Sequence, residues 1–148
     1  MSLSRQDGPR RTVETRKRMN AQDYQDYLEK GTETGMEIYY EGTGRDWNQD
    51  FKTIALEHGK LTNIVGIEYQ ESWNQEESNR MGYDALFKAS IDNAKKAFPD
   101  HSFIVAPHVN KNGNFHTHII VCAVSENGKR IRSDFKSRAV WKLSLIHI

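Results

Sequence analysis

The sequence contains little cysteine and no long apolar segment. Among its 148 residues there is a single cysteine, Cys122, which excludes an internal disulfide framework and zinc sites built from several thiolates. No apolar run approaches the roughly 20 residues that a membrane-spanning helix requires. The opening residues, MSLSRQDGPRR, lack the apolar core of a secretory signal. These features predict a soluble protein of the reducing cytoplasm.

Net charge is also low, at +1, but the charges are unevenly distributed along the chain. Residues 1–20 and residues 126–148 carry six Arg or Lys each, and residues 21–50 carry eight carboxylates. Two basic ends suit a phosphate-rich ligand, whereas ordinary solvated charge would explain either run alone.

The length suits one domain with a buried core. Residues 1–10 are polar and contain a Gly-Pro break, so they are predicted to form a disordered tail ahead of a domain over 11–148. The sequence finishes on apolar residues without a turn or capping signal. We therefore expect this domain to be a fragment of a longer protein.

Hydrophobic periodicity predicts the order β-α-β-β in the central part of the chain. Residues 64–72 alternate as a strand, residues 76–97 have the spacing of a long amphipathic helix, and residues 102–107 and 116–124 read as two further strands. This order predicts an α+β fold in which the long helix packs on one face of an antiparallel sheet.

The upstream part is predicted to contain three shorter elements. Residues 11–30 suit a polar helix, and residues 36–42 suit a short strand. A second helix is expected to begin after Asp46 and to end at Gly59. It would bury one side that consists of Trp47, Phe51, Ala55 and Leu56.

Three histidines lie close together in PHVNKNGNFHTHIIVCAV. His116 and His118 share one face of a predicted central strand, and His108 precedes an Asn- and Gly-rich loop that favours a hairpin. Imidazoles buried on such a strand need a ligand, because unpaired buried polar groups cost roughly 1–3 kcal/mol each. The three side chains are predicted to bind a divalent metal and to leave positions open, as catalytic sites do.

One competing motif is excluded by the residues around the pair. Cupins also use His-x-His, with a glycine six residues before the first histidine and a glutamate four or five residues after the second. Asn110 occupies the first of these places, and Cys122 or Ala123 the second.

The stretch resembles the HUH endonucleases, and more narrowly the plasmid mobilisation relaxases of the MobA/MobL type. Those proteins carry a histidine, a short polar loop ending in Gly-Asn-Pro, then His-x-His and an apolar strand, and the resemblance covers about residues 60–142. Two positions depart from the pattern: Phe115 replaces the proline, and Thr117 replaces the hydrophobic residue between the histidines.

The resemblance implies a metal-dependent nickase of single-stranded DNA at a plasmid transfer origin, acting in conjugative mobilisation. A tyrosine would attack a backbone phosphate and stay linked to the 5′ end. The implied cofactor is Mg²⁺ or Mn²⁺, held by His108, His116 and His118. The implied partners are origin DNA and other relaxosome proteins.

The nucleophile is expected upstream, since no tyrosine follows Tyr83 and relaxases carry theirs before the histidine motif. Tyr24 and Tyr27 are three residues apart on a predicted helix, so they share a face. Tyr27 is preferred, and Tyr39 and Tyr40 are the further candidates.

Other polar residues near the motif have possible roles. Basic residues after the histidine strand are candidate DNA contacts, namely Lys129, Arg130 and Arg132. Glu68 and Gln70 share one face of the first strand, and Tyr69 and Glu71 share the other. Either carboxylate could orient an imidazole, although surface exposure is the expected explanation for both.

Two alternatives to a relaxase stay open. One is another HUH enzyme, a rolling-circle replication initiator or a transposase, whose tyrosine would lie beyond Ile148. The other is a non-catalytic module that binds metal or DNA.

Overall fold

The computed structural model describes residues 26, 28, 35–109 and 113–131, together with the backbone of residues 5–6. A five-stranded antiparallel sheet has the order β1-β3-β5-β4-β2. The elements in chain order are β1 (Arg5–Gln6), β2 (Tyr39–Glu41), α1 (Trp47–Glu57), β3 (Gly66–Ser72), α2 (Gln75–Met81), α3 (Tyr83–Ala97), β4 (Phe103–Val109) and β5 (Phe115–Cys122). The predicted α+β class and antiparallel sheet are confirmed.

Strand β5 is central, because it pairs with β3 on one side and with β4 on the other. Its alternating side chains enter two different hydrophobic clusters. Ile120 and Cys122 pack with Trp47 and Phe51 of α1, whereas Ile119 and Val121 share a cluster with residues of α3. The sheet is therefore covered by a helix on each face, which explains why both faces of β5 are apolar.

The long helix predicted over 76–97 is two helices, which is a correction to the sequence-based prediction. Gly82 has φ +84° and separates α2 from α3. This positive φ is readily adopted by glycine alone. The apolar spacing continues across the break because α3 starts at the next residue, so periodicity did not reveal it. The predicted packing of this region on one sheet face is confirmed, since Ala94 and Phe98 join the second cluster.

Helix α2 begins with a reciprocal cap made by Asn74 and Glu77. The Glu77 backbone N–H donates to Asn74 Oδ1 at 2.8 Å, and the Asn74 N–H donates to the Glu77 carboxylate at 3.4 Å. Such a capping box satisfies two amides that a helix start leaves open. Ser78 Oγ then accepts from the Phe115 N–H at 3.1 Å, which links α2 to the start of β5.

Helix α1 lies where the sequence predicted it, but one of the four side chains predicted to be buried is exposed. Trp47, Phe51 and Ala55 are buried, whereas Leu56 is 65% exposed. Consecutive residues of an α-helix are rotated by about 100°, so Leu56, which follows the buried Ala55, points away from the sheet. The Asp46 side chain makes no capping hydrogen bond, although the helix does begin after it.

Several predicted segments fall largely outside the described residues. Arg5 and Gln6, within the tail predicted to be disordered, pair with Ser72 and Glu71 as an edge strand. Asp26 and Leu28 are helical, in agreement with the polar helix predicted there. Within the described part of the chain, no helix has the length and apolar character needed to cross a bilayer.

Candidate metal centre

Histidines from two neighbouring strands meet on one face of the sheet. His108 of β4 lies directly opposite His116 of β5, and His118 follows on the same face of β5. Their ring centroids are 4.6 to 5.4 Å apart. One ligating atom from each ring lies within 4.8 Å of the other two. The convergence predicted from the hairpin is therefore present.

Burial keeps His108 and His116 in the form that can bind a metal. Burial, and then the neighbouring His118, lower the pKa of both His108 and His116 to about 4. Both rings are therefore neutral at pH 7, and a neutral imidazole has the lone pair that coordination uses. Three nitrogen donors so close together suit one divalent ion with open coordination positions.

A buried carboxylate lies beside the third histidine. Glu68 Oε1 is 3.4 Å from His118 Nδ1, and Glu68 is 1% exposed. The expectation that Glu68 is a surface residue is wrong, because β3 is an interior strand and helix α1 packs on this face of the sheet. Gln70, directly opposite His118 in the β3–β5 register, is half-buried.

A backbone carbonyl from the N-terminal part of the chain reaches the first histidine. His108 Nε2 is 3.0 Å from the Leu28 carbonyl oxygen, and Leu28 is itself fully buried. A hydrogen bond from Nε2–H to this carbonyl selects the tautomer whose Nδ1 carries the lone pair. Nothing in the sequence signalled this contact, since it joins residues 80 positions apart.

Residues 19–144 match the sequence model of one protein family, which is described as relaxase, MobA/VirD2-like, nuclease domain. This chain belongs to that family. The family assignment confirms the resemblance to MobA-type HUH relaxases and makes the protein a nuclease-domain protein of the relaxase type. The match begins upstream of Tyr24 and so includes both preferred tyrosines. Comparisons with curated proteins and with solved structures found no match.

The preferred nucleophiles of this relaxase domain, Tyr24 and Tyr27, lie outside the described residues. Tyr39 is on the sheet face opposite the histidines, where its ring lies 6.2 Å from that of Phe103. Tyr40 is on the histidine face and lies opposite Ile104, four residues before His108 along β4. At about 3.3 Å per residue that is ~13 Å of strand.

The remaining tyrosines are packing residues, as expected from the sequence. Tyr69 is fully buried and its ring lies 5.1 Å from that of Phe98. Tyr83 is half-buried and stacks on Phe115 at 5.3 Å.

The candidate DNA contacts of the relaxase lie toward the other end of β5. Val124 and Arg130 form an isolated β-bridge after the strand, and Lys129 beside it is exposed. The eight residue-to-residue steps from His116 to Val124 span about 26 Å of extended chain. The Arg130 guanidinium donates to the Lys60 carbonyl. Arg132 lies outside the described residues.

The other carboxylate of β3 that was expected at the surface is also buried, so that expectation is wrong as well. Glu71 is fully buried on the face opposite the histidines, and its Oε2 accepts a hydrogen bond from Asn93 Nδ2 at 3.3 Å. Burial raises the pKa of Glu71 to about 7, against the opposing effect of hydrogen bonds from Ser90 and Asn93. The sequence signal for this burial was the alternation along the strand, which places Glu71 on the same face as the apolar Ile67 and Tyr69.

Proposed function

We propose that this relaxase domain nicks one strand of DNA at a plasmid transfer origin, through a covalent 5′-phosphotyrosine intermediate, for conjugative mobilisation. The observation that carries the proposal is the convergence of His108, His116 and His118 on one sheet face. The family match favours this activity over the replication initiators and transposases, and over a non-catalytic metal- or DNA-binding module.

The three histidines would hold the metal, which we propose to be Mg²⁺ or Mn²⁺. When bound, the metal would withdraw charge from the non-bridging oxygens of the scissile phosphate and stabilise the charge that builds up there. Rigid placement of the three rings on paired strands is what the chain itself contributes. Each ring then needs no reorganisation when the phosphate arrives.

Glu68 and the Leu28 carbonyl would fix the tautomers of two ligands. Glu68 Oε1 is 3.4 Å from His118 Nδ1, so a small rotation of either side chain would let the carboxylate accept from Nδ1–H and leave Nε2 for the metal. The carbonyl that accepts from His108 Nε2–H leaves Nδ1 for the same purpose. Both groups would then have the outer-sphere role that carboxylates and carbonyls have at other histidine metal sites.

Tyr27 is our preferred nucleophile and Tyr24 the second candidate. Tyr27 immediately precedes Leu28, whose carbonyl is 3.0 Å from a proposed metal ligand. In sequence, Tyr27 is thus one residue from this contact, whereas Tyr24 is four residues from it. An ordinary tyrosine, with a pKa near 10, is a weak nucleophile and needs a base or a nearby positive charge.

The proposed reaction exchanges one phosphate ester for another. The tyrosine oxygen forms a bond to phosphorus, and its proton leaves to a base or to water. The bond from phosphorus to the 3′ oxygen breaks, and that oxygen leaves with a proton as a free 3′ hydroxyl. The downstream strand stays attached to the tyrosine through its 5′ phosphate. Because no ester is lost to water, the same step run backwards can rejoin the DNA.

The basic residues after β5 would bind the DNA backbone away from the reacting phosphate. Lys129, Arg130 and Arg132 are proposed phosphate contacts. Several nucleotides of extended single strand would cover the distance from the histidines to the described pair, Lys129 and Arg130. Other relaxosome proteins are proposed partners at the origin. A cytoplasmic location follows from this proposal, since the DNA substrate is there.

Detection of the covalent adduct tests the proposal. The protein is incubated with Mn²⁺ and single-stranded origin oligonucleotides labelled at the 3′ end, since the downstream fragment is the one that stays attached. We expect a labelled protein band that resists denaturation and disappears in Tyr27→Phe but not in the control Tyr83→Phe. An adduct that survives Tyr24→Phe together with Tyr27→Phe would remove both nucleophile candidates. Metal binding without any adduct would favour the non-catalytic module.

A further inference from the structure

Polar side chains are buried behind the histidine strand, on the face of the sheet opposite the metal centre. Ser90 Oγ and Thr117 Oγ1 are 2.7 Å apart, and Asn93 Nδ2 donates to Glu71 Oε2 at 3.3 Å. None of the four residues is more than 3% exposed. Ser90 and Asn93 are three residues apart on α3, so one face of this helix is bonded to both β5 and β3.

Thr117 has a special place because it lies between two proposed metal ligands. Side chains alternate along a strand, so Thr117 faces α3 while His116 and His118 face the metal centre. A rotation of β5 about its own axis would displace Thr117 to one side and both imidazoles to the other. Any contact that fixes the Thr117 side chain therefore also fixes the direction of the two rings.

Packing alone does not explain why this position is polar. The neighbours on the same face of β5, Ile119 and Val121, are apolar and fully buried. A buried hydroxyl pair contributes only ~1 kcal/mol net to stability, and valine would fill the same shape as Thr117. The hydrogen bond between the Thr117 and Ser90 hydroxyls adds orientation, because it forms in only one arrangement of β5 and α3.

We propose that Thr117 and Ser90 are positioning residues, which hold β5 at the rotation that aims His116 and His118 at one ion. The inference rests on the proposed metal-binding role of the histidines. It gives a reason for a polar residue at Thr117, between the two histidines of a strand whose other inward residues on that face are apolar.

Substitutions that remove the hydroxyl without changing shape provide the test. Thr117→Val and Ser90→Ala are compared with Thr117→Ser, which keeps the hydroxyl, and with the control Ile119→Val. The control removes one buried methylene from the same face of the same strand. Titration calorimetry with Mn²⁺ gives the dissociation constant, and thermal unfolding in EDTA confirms that each variant is folded.

We expect Thr117→Val and Ser90→Ala each to weaken Mn²⁺ binding by about tenfold, the lower end of the range for outer-sphere changes at metal sites. Thr117→Ser and Ile119→Val should stay within about twofold of the wild type. The double variant Ser90→Ala/Thr117→Val should be no weaker than Thr117→Val alone, because both changes break one contact. Equal losses in Thr117→Val and Ile119→Val would overturn the inference.

A metal-free measurement separates this inference from the proposed function. In the metal-free protein, the imidazole ¹⁵N resonances of His116 and His118 should shift in Thr117→Val and stay in place in Ile119→Val. Unshifted resonances in Thr117→Val would overturn the positioning role, whether or not metal binds. A wild-type protein that binds no Mn²⁺ would overturn the proposed function, and the resonances would still decide the positioning role.

Discussion

His108 and His116 are direct cross-strand partners on β4 and β5, with ring centroids 5.4 Å apart. Partners in an antiparallel pair have their Cβ atoms about 5 Å apart, which is the spacing that lets two imidazoles share one ion. The hairpin therefore builds two-thirds of the candidate site by register alone. His118, two residues further along, completes it.

Removal of one histidine should abolish metal binding. We expect His116→Ala and His118→Ala each to weaken Mn²⁺ affinity by more than about 100-fold, since even outer-sphere changes cost roughly 10–100-fold. The exposed His58, substituted as His58→Ala, is the matched control and should bind as the wild type does. Titration calorimetry measures all three. Unchanged affinity in the two site variants would remove the basis of the metal centre.

Glu68→Gln should weaken Mn²⁺ binding by roughly 10–100-fold while the protein stays folded, because a neutral amide orients the His118 ring less strongly than a carboxylate does. Glu71→Gln is the control, since Glu71 is equally buried on the same strand but faces away from the histidines. Its Mn²⁺ affinity should be close to that of the wild type. Titration calorimetry measures the Mn²⁺ dissociation constant of both variants. A loss of Mn²⁺ affinity of equal size in the two would argue against a specific role for Glu68.

The stability of the metal-free protein should depend on pH through Glu71. Burial raises the pKa of this carboxyl from 4.5 to about 7, so the folded state binds the proton more tightly than the unfolded state. Its contribution is therefore full below pH 4.5 and is lost as the pH rises through 7. Glu71→Gln should stabilise the fold at pH 8 by up to about 3 kcal/mol and change it little at pH 4.5. Urea unfolding in EDTA measures the free energy of unfolding at both pH values. An effect of the same size at pH 4.5 and pH 8 would contradict the raised pKa of Glu71.

Gly82→Ala should destabilise the fold through backbone strain alone. Gly82 has φ +84°, and a Cβ atom added there would meet nothing within 4 Å. Holding a residue with a side chain at this φ costs of order 1–3 kcal/mol. Gly44 also has open space but no positive φ, so Gly44→Ala should stay within about 0.5 kcal/mol of the wild type. Chemical unfolding of the two variants gives the comparison, and equal stabilities would show that α2 and α3 do not require this turn.

The sequence predicted those features that depend on local alternation and spacing. The faces of β5 and the meeting of three histidines followed from a period of two and one hairpin. The break at Gly82 was missed because the apolar spacing is the same on both sides of it. The burial of Glu68 was also missed. That burial depends on the order of strands in the sheet and on α1, and neither is encoded near Glu68.

The strand that carries His116 and His118 is bonded along its length to β3 on one side and to β4 on the other. Amides in such a strand exchange with solvent mainly when the whole domain opens. An ion bound there would therefore slow hydrogen exchange across the entire sheet, because its binding energy adds to the global stability. Metal occupancy in this protein would thus be visible at residues far from the metal.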